Sequence, residues 1–310
     1  MTDGGADTGT SGGSSRPITT VLVSGASGFI GTELCRQLEA DGRTVLRLVR
    51  RTPATEHEFR WAPEGGTVDM AAIEAADAVV NLAGATTGRI PWTPGYKRQI
   101  LDSRVAGTRT LVDAINRAST PPAVFVSGSA VGYYGDRGDE VLDEQSSKGS
   151  GFLSDVVEEW ENTARHAKTR VVLARTGVVV GRGGAFTPLL ALTRLGLGSR
   201  FGSGSQYWPW ISLHDEASAL RHLIDSALEG VVNLAGPTPA SSGEITATLA
   251  ETLRRWHPFV VPAFAIRALG DAGKELLLSS QNVSPSRLVM DGFGFRDLTA
   301  TEAIERTFGR

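Results

Sequence analysis

The 310-residue sequence has a single cysteine, Cys35, and only four lysines among its 31 basic residues. One cysteine excludes an internal disulfide framework and any metal site built from several cysteines. No apolar run approaches the roughly 20 residues that span a bilayer. The net charge of −3 gives no footprint for nucleic acid or an anionic membrane. We therefore expect a cytoplasmic protein that binds neither nucleic acid nor membrane.

A hydrophobic content of 41% and a charged content of 21% are typical of a globular protein with a sizeable core. The first 16 residues depart from this composition, because they are rich in Gly, Ser, Thr and Asp and poor in apolar side chains. Such a segment buries too little apolar surface to offset the entropy of ordering, so residues 1–16 are predicted to be a disordered tail.

Short Val- and Ile-rich runs alternate with amphipathic helical patterns along the rest of the chain. This alternation predicts right-handed βαβ crossovers and an α/β fold, a doubly wound parallel sheet with helices on both faces. The order loosens at about residue 182, where Gly-rich and aromatic segments predict insertions that build a smaller substrate lobe. We expect a sheet domain over residues 17–257 and a small C-terminal domain over residues 258–310. The predicted strands are TTVLVSG, TVLRLVR, AVVNLAG, AVFVSGSA, RVVLARTGVVVG and GVVNLAG.

The segment GASGFIG is a glycine turn between the first strand and the first helix. Gly25 permits the sharp bend, Gly28 lets backbone N–H groups approach a pyrophosphate, and Gly31 allows the helix to pack closely on the strand. The position at the head of a βαβ unit favours a dinucleotide site over a glycine turn without a ligand.

The second strand ends with Arg50 and Arg51, where readers of NAD usually carry an acid for the ribose 2′-hydroxyl. A guanidinium pairs with a 2′-phosphate, which a carboxylate would repel. The sequence therefore favours NADP(H) as cofactor, the alternative being that both arginines are solvated surface charges.

A further small-residue turn, NLAGA, follows the buried strand AVVN, and strand ends of this kind face the cofactor. Asn81 and Gly84 are candidates to line the nucleotide, or the turn caps only its own backbone. The other predicted cofactor contacts are Ser27, Phe29, Ile30, Leu82, Ala83 and Ser103.

The combination of GASGFIG, NLAGA, SGSAVGYYG and RTGVVVG resembles the extended short-chain dehydrogenase/reductase superfamily. Segments such as GFLSDVVEEWENTA and KELLLSSQNVSPSRLVMDGFGF are similar to its atypical epimerase-like subfamily, whose members are labelled nucleoside-diphosphate-sugar epimerases. The resemblance spans nearly all of residues 20–308. It implies a Rossmann fold that binds NADP(H), a small C-terminal domain and, by analogy, a possible homodimer.

Ordinary members of the superfamily use a Tyr, four residues before a Lys, to handle the proton during hydride transfer. No Tyr-x-x-x-Lys occurs in this sequence. At the expected place, Phe152 or Leu153 replaces the phenol, and Val156 or Val157 replaces the ammonium. The cofactor site is therefore predicted to be intact while the usual proton relay is missing.

Three residues are candidate substitutes for that relay. Ser129 matches the catalytic serine position of the superfamily, and Tyr134 ends the same loop. Lys97 lies in the segment that follows the third predicted strand. Each has a structural alternative, namely a turn hydroxyl for Ser129, a packed aromatic for Tyr134 and a solvated lysine for Lys97.

The segment that begins at Arg175 resembles the strand end that forms a wall of the substrate cleft in this superfamily. Gln206 and Trp210 are further candidate substrate contacts. No cluster of His, Cys and carboxylates has metal-ligand spacing, so no metal is predicted. Two functions stay open at this point. One is an NADP(H)-dependent oxidoreductase or epimerase acting on a small or nucleotide-linked carbonyl or hydroxyl compound, and the other is a non-catalytic NADP(H)-binding sensor or regulator.

Overall fold

The computed structural model describes residues 17–309, and the predicted disorder of residues 1–16 lies outside them. An eight-stranded sheet runs through the centre in the order β12-β8-β6-β5-β1-β2-β3-β4. All neighbouring strands are parallel except the antiparallel pair β3 and β4 at one edge. The strands are β1 Thr20–Ser24, β2 Thr44–Val49, β3 Glu58–Ala62, β4 Thr67–Val68, β5 Ala78–Asn81, β6 Val124–Ala130, β8 Arg170–Thr176 and β12 Gly230–Leu234.

The doubly wound α/β prediction is confirmed, and every run predicted as a strand contributes one. The run RVVLARTGVVVG divides at Gly177 into β8 and a separate strand, β9 Val178–Val180. The edge strands β3 and β4 were not predicted, because EFRWA alternates only weakly and TV is two residues long.

Helices cover both faces of the sheet. Along β1, Val21 and Val23 face one core with the apolar sides of α1 and α6, while Leu22 faces a second core with α3 and α4. This alternation follows from the two-residue period of a strand. The helices of these layers are α1 Phe29–Ala40, α2 Met70–Glu74, α3 Pro94–Arg117, α4 Phe152–Ala164 and α6 Leu213–Asp225.

A smaller lobe with its own core begins at β9. Phe186, Trp208 and Ile245 pack there against Ile304 and Phe308 from the end of the chain. Ser241 and Glu244 form a reciprocal capping box at the start of α7. The lobe contains β9 Val178–Val180, β10 Ser199–Phe201, β11 Trp210–Ser212, β13 Phe259–Val261, α5 Phe186–Arg194, α7 Ser242–Thr252, α8 Ala263–Arg267 and α11 Ala300–Phe308.

The C-terminal segment also returns to the sheet domain. Strand β14, Asn282–Val283, pairs with β7, Val141–Leu142. Before it, the short helix α9, Asp271–Gly273, and a π-helical turn, Lys274–Leu278, lie beside the start of α4, and α10, Ser286–Met290, follows. Among residues 17–309, no helix is both long and apolar enough to cross a membrane.

Candidate functional site

The glycine turn lies where β1 ends, pressed against the segment that follows β5. Gly25 has a φ of 71°, and a Cβ atom on it would lie 2.8 Å from the carbonyl carbon and oxygen of Leu82. A Cβ on Gly31 would lie 2.2 Å from the carbonyl oxygen of Gly25. Both positions therefore require glycine, which is the arrangement predicted for close helix–strand packing.

The first turn of α1 presents unused donors at this turn. Gly28 is the N-cap and supplies no side-chain cap, and its own N–H donates to the Gly25 carbonyl at 2.9 Å. The N–H groups of Phe29, Ile30 and Gly31 have no acceptor among the described residues. An anion is stabilised at such a helix end by free N–H groups and the helix dipole.

The side chain of Phe29 connects the turn to the smaller lobe. Cβ atoms on Gly181 and Gly183 would lie 2.4 and 2.5 Å from its ring, so this aromatic side chain packs into a glycine segment after β9. The side chain is thus a packing element, and only the backbone of Phe29 faces the anion position. The glycines of GRGG, residues 181–184, are the sequence feature that corresponds to this packing, and they were not among the predicted site residues.

The two arginines after β2 differ in their partners. Arg51 donates to both carboxylate oxygens of Glu58, at 2.8 and 2.5 Å, and to the carbonyl of Thr52. Arg50 is exposed and makes no hydrogen bond or ion pair with the described residues. Of the predicted pair, Arg50 is therefore the guanidinium that can reach an outside phosphate without breaking an existing contact.

The side chain of Asn81 is fully buried in a network behind the crevice, which is the space outside the carboxyl ends of β1 and β5 where parallel sheets bind their ligands. Its Oδ1 accepts from Ser24 Oγ at 2.6 Å, and its Nδ2 donates to Thr108 Oγ1 at 2.9 Å, which also accepts from Trp160 Nε1 at 2.8 Å. Asn81 Oδ1 lies 3.4 Å from the N–H of Ala83 as well. These bonds tie β1 and β5 to α3 and α4.

Helix α3 supplies two polar side chains to the turn after β5. Ser103 Oγ accepts from the N–H of Ala85 at 3.0 Å. Arg104 Nη1 donates to the carbonyl oxygen of Ala85, also at 3.0 Å, and an added Cβ on Gly84 would touch the Arg104 side chain at 3.4 Å. Arg104 was not predicted, because its proximity to this turn depends on how α3 packs.

Ser129 and Arg175, predicted separately, meet at one buried carboxylate. Ser129 Oγ donates to Glu161 at 2.7 Å, and Arg175 donates to both Glu161 oxygens at 2.7 and 2.9 Å. The Arg175 guanidinium lies 3.5 Å from the ring centroid of Tyr133, and Arg165 adds a second cation to Glu161 at 3.1 Å. Glu161 thus engages both the hydroxyl and the guanidinium.

Tyr134 is fully buried behind the same loop. Its hydroxyl lies 2.7 Å from Asn233 Oδ1 and 2.9 Å from the carbonyl of Asp143, and its single proton donates to one of the two. Burial raises the pKa of Tyr134 above its ordinary value of 10.0, although the Arg175 guanidinium opposes this shift. A proton relay requires the reverse shift, toward the working pH.

The start of α4 is apolar where the superfamily carries its relay. Val156 and Val157 are buried, and Phe152 packs edge-on against Trp92 with centroids 5.4 Å apart. The ammonium of Lys97 lies 4.9 Å from the ring centroid of Phe152 and is paired with Asp271 of the C-terminal segment. A cation from α3 therefore lies over Phe152, one of the two positions at which the relay Tyr is expected.

A cleft of about 240 Å³ opens beside this helix start. Its wall combines the loop after β6, the start of α4 and the C-terminal segment. The lining residues are Gly132, Gly135, Asp136, Ser150, Gly151, Leu153, Lys274, Glu275, Ser279 and Gln281.

Glu275 joins the C-terminal segment to α4. Its two carboxylate oxygens accept from the N–H groups of Phe152 and Leu153 at 2.9 and 2.8 Å. Gly151 has a φ of 128°, and a Cβ there would lie 3.1 Å from the Glu275 carboxylate. The carboxylate satisfies two orphan donors of the helix and complements its dipole.

The side chains of Gln206 and Trp210 donate hydrogen bonds to backbone carbonyls within the protein. Gln206 Nε2 donates to the carbonyls of Phe201 and Leu277 at 3.1 and 2.8 Å. Trp210 Nε1 donates to the carbonyl of Thr238 at 2.8 Å. Neither residue lines the cleft beside α4, and neither does Arg175.

No three His, Cys, Asp or Glu side chains in residues 17–309 group as metal ligands. The polar residues that sequence reasoning missed are Arg104, Thr108, Glu161, Asp271 and Glu275. Their signal was weak, because each acquires its role from a partner distant in the sequence.

The fold and the crevice define an NAD(P)-binding protein of the Rossmann type. The model of the NAD dependent epimerase/dehydratase family matches residues 21–235, and that of a domain of unknown function, DUF1731, matches residues 261–307. The chain therefore belongs to the NAD dependent epimerase/dehydratase family, among its epimerase-like extended short-chain dehydrogenases/reductases, as the sequence motifs implied.

Relatives share this organisation over nearly their whole length. Epimerase family protein ML0860 of Mycobacterium leprae is 41% identical over 290 residues, which are 92% of this chain and 94% of that protein. Human epimerase family protein SDR39U1 is 35% identical over 283 residues, 89% of this chain and 94% of its own. A crystal structure of the human protein, isoform 2, with NADPH has a TM-score of 0.84 at 32% identity and covers 93% of this chain and 98% of that chain.

Proposed function

We propose that this chain binds NADP(H) and acts as an oxidoreductase on a small or nucleotide-linked carbonyl or hydroxyl compound. The observation that carries the proposal is the glycine turn, where Gly25 and Gly31 admit no side chain and the first turn of α1 offers free N–H groups. The unpaired Arg50 guanidinium after β2 favours a 2′-phosphate. The human relative crystallised with NADPH supports the same choice of cofactor.

The cleft beside α4 is the proposed substrate site. When bound, NADPH supplies a hydride to a carbonyl carbon, and the carbonyl oxygen must then gain a proton. Ser129 and Tyr134 each hold their single proton in an internal hydrogen bond. The Lys97 ammonium has three N–H donors, and its pairing with Asp271 leaves others free. It lies over Phe152, next to the cleft residue Leu153. Lys97 is therefore the proposed proton donor, held in place by Asp271, and solvent returns its proton after each turnover.

Replacing Lys97 tests this role. In a panel of carbonyl compounds with NADPH, Lys97→Met should lower kcat by about a hundredfold, the usual contribution of a general acid, while the Kd for NADPH stays unchanged. Lys168→Met is the matched control, because Lys168 is exposed and its side chain makes no ion pair with the described residues. Equal turnover by the wild type and Lys97→Met would remove Lys97 from the reaction.

A non-catalytic NADP(H)-binding sensor or regulator is the second candidate. It is favoured by the apolar residues at the relay position and by the raised pKa of the buried Tyr134 phenol. It predicts tight NADPH binding with no oxidation across the whole panel, by the wild type as well as by Lys97→Met. Turnover of any compound by the wild type would reject it.

A further inference from the structure

Arg104 is a partly buried cation that has no ion-pair partner among residues 17–309. Its Nη1 donates to the carbonyl oxygens of Ala85 and Ile100 at 3.0 and 3.1 Å, and its guanidinium lies 5.2 Å from the ring centroid of Trp160. No carboxylate of the described chain forms an ion pair with it, and the ionisable group that influences it is the Tyr96 phenol. Burial lowers the pKa of Arg104 to about 10.

The other buried guanidinium of this site shows the usual solution. Arg175 is held by both oxygens of Glu161. Buried charges are normally paired in this way, because removing a charge from water is costly. The two backbone carbonyls at Arg104 provide partial dipoles and leave its positive charge uncompensated.

Arg104 also retains unused donors. A guanidinium has five N–H groups, and here only Nη1 has partners. Nε and Nη2 make no hydrogen bond with the described residues. Neither atom is fully buried, so both keep contact with solvent. They therefore remain available as hydrogen-bond donors.

The Arg104 side chain lies beside the turn that follows β5, at the carboxyl end of that strand. The Arg104 side chain touches the position of an added Cβ on Gly84, and the adjacent segment, at Leu82, is the one that packs against Gly25. In parallel sheets, ligands bind in the crevice outside the carboxyl ends of the strands. Arg104 is therefore on the ligand side of the sheet.

We propose that Arg104 is an anion-binding residue, which holds a phosphate or carboxylate oxygen of a ligand in the crevice through Nε and Nη2. The proposal rests on the proposed function, since the dinucleotide and its substrate are the ligands of this crevice. The anion has two possible sources, the pyrophosphate of the cofactor and an anionic group of the substrate.

The experiment compares Arg104→Gln with Arg109→Gln, an exposed arginine on the same helix. Both variants lose one positive charge of α3, but only the first loses the crevice donors. Calorimetry measures the Kd of each variant for NADPH and for inorganic pyrophosphate, and the Kd of the NADPH-loaded protein for UDP. We expect Arg104→Gln to bind NADPH about tenfold or more weakly than the wild type, with a smaller loss of affinity at high salt. The affinity of Arg109→Gln for NADPH should stay within about twofold of that of the wild type.

The arms separate the sources of the anion. Loss of NADPH and pyrophosphate affinity assigns the anion to the cofactor. Unchanged NADPH affinity with about tenfold weaker UDP binding assigns it to the substrate. Wild-type affinity of Arg104→Gln for all three ligands would overturn the proposal.

Two controls keep the test decisive. If Arg104→Gln does not fold, Arg104→Lys replaces it, and we expect about threefold weaker binding because an ammonium cannot form the forked pair of hydrogen bonds. Wild-type affinity of that variant would contradict the inference. If the wild type binds no NADPH, the proposed function fails, and Arg104 is then judged by whether pyrophosphate raises the Tm of the wild type more than that of Arg104→Gln.

Discussion

At the scale of single residues, Glu216 is a carboxyl group enclosed completely by protein. Thr176 Oγ1 donates to one of its oxygens at 2.7 Å, and the other oxygen has no partner among the described residues. Burial raises the pKa of Glu216 to about 8, against an ordinary value of 4.5. In the folded protein the neutral, protonated form of this side chain is therefore favoured at pH 7.

This shift makes stability depend on pH. Between pH 4.5 and pH 8 the folded protein keeps the Glu216 proton and the unfolded chain loses it, so folding takes up a proton and the free energy of unfolding falls as pH rises. Glu216→Gln removes this dependence. The raised pKa costs the folded protein roughly 4 kcal/mol at pH 8, and an unpaired amide N–H of the buried Gln offsets about 1–3 kcal/mol of that gain. The free energy of unfolding at pH 8 should therefore rise by about 1–3 kcal/mol. Urea unfolding at pH 5 and pH 8 measures both effects.

Glu64→Gln is the matched control, because Glu64 is exposed and its side chain has no partner in the described chain. It should follow the wild type at both pH values. If Glu216→Gln has the same pH dependence as the wild type, then Glu216 is not the group that titrates.

Residue-level prediction succeeded where the cause is local. The requirement for glycine at Gly25 and Gly31 comes from a turn only seven residues long, and its motif is visible in the sequence. The partners of polar groups are different, because the fold sets them. Ser129 and Glu161 are 32 residues apart, and Lys97 and Asp271 are 174 apart, so no spacing rule connects them.

At the scale of elements, the start of α4 depends on a different part of the chain. Gly151 offers no side chain as an N-cap, and Glu275 from the π-helical turn supplies the carboxylate instead. A carboxylate at a helix start compensates both the free N–H groups and the positive end of the dipole. The sequence around Gly151 gives no signal for this cap, because Glu275 lies 123 residues after Phe152.

Removing the Glu275 carboxylate should expose this dependence. Glu275→Ala is expected to lower the free energy of unfolding by about 1–2 kcal/mol, the loss typical of an N-cap. Chemical denaturation measures the change, and Glu305→Ala, an exposed glutamate in α11, is the control with the same truncation. Equal changes in the two variants would show that the contact does not stabilise α4.

At the scale of the whole molecule, the chain joins a cofactor crevice to a cleft that no single segment completes. The sheet domain supplies the crevice, and the C-terminal segment supplies Lys274, Glu275, Ser279 and Gln281 to the cleft. The sheet was predictable from alternating apolar runs. The cleft was not, because it forms only after the end of the chain returns to α4.

The proposed cofactor preference of this crevice is for NADP(H) over NAD(H). Calorimetric titration of the wild type and of Arg50→Ala with NADPH and with NADH measures this preference. We expect the wild type to bind NADPH about tenfold or more tightly than NADH, and Arg50→Ala to lose this preference while its affinity for NADH is unchanged. Equal affinity of the wild type for both cofactors, or no binding of either, would contradict it.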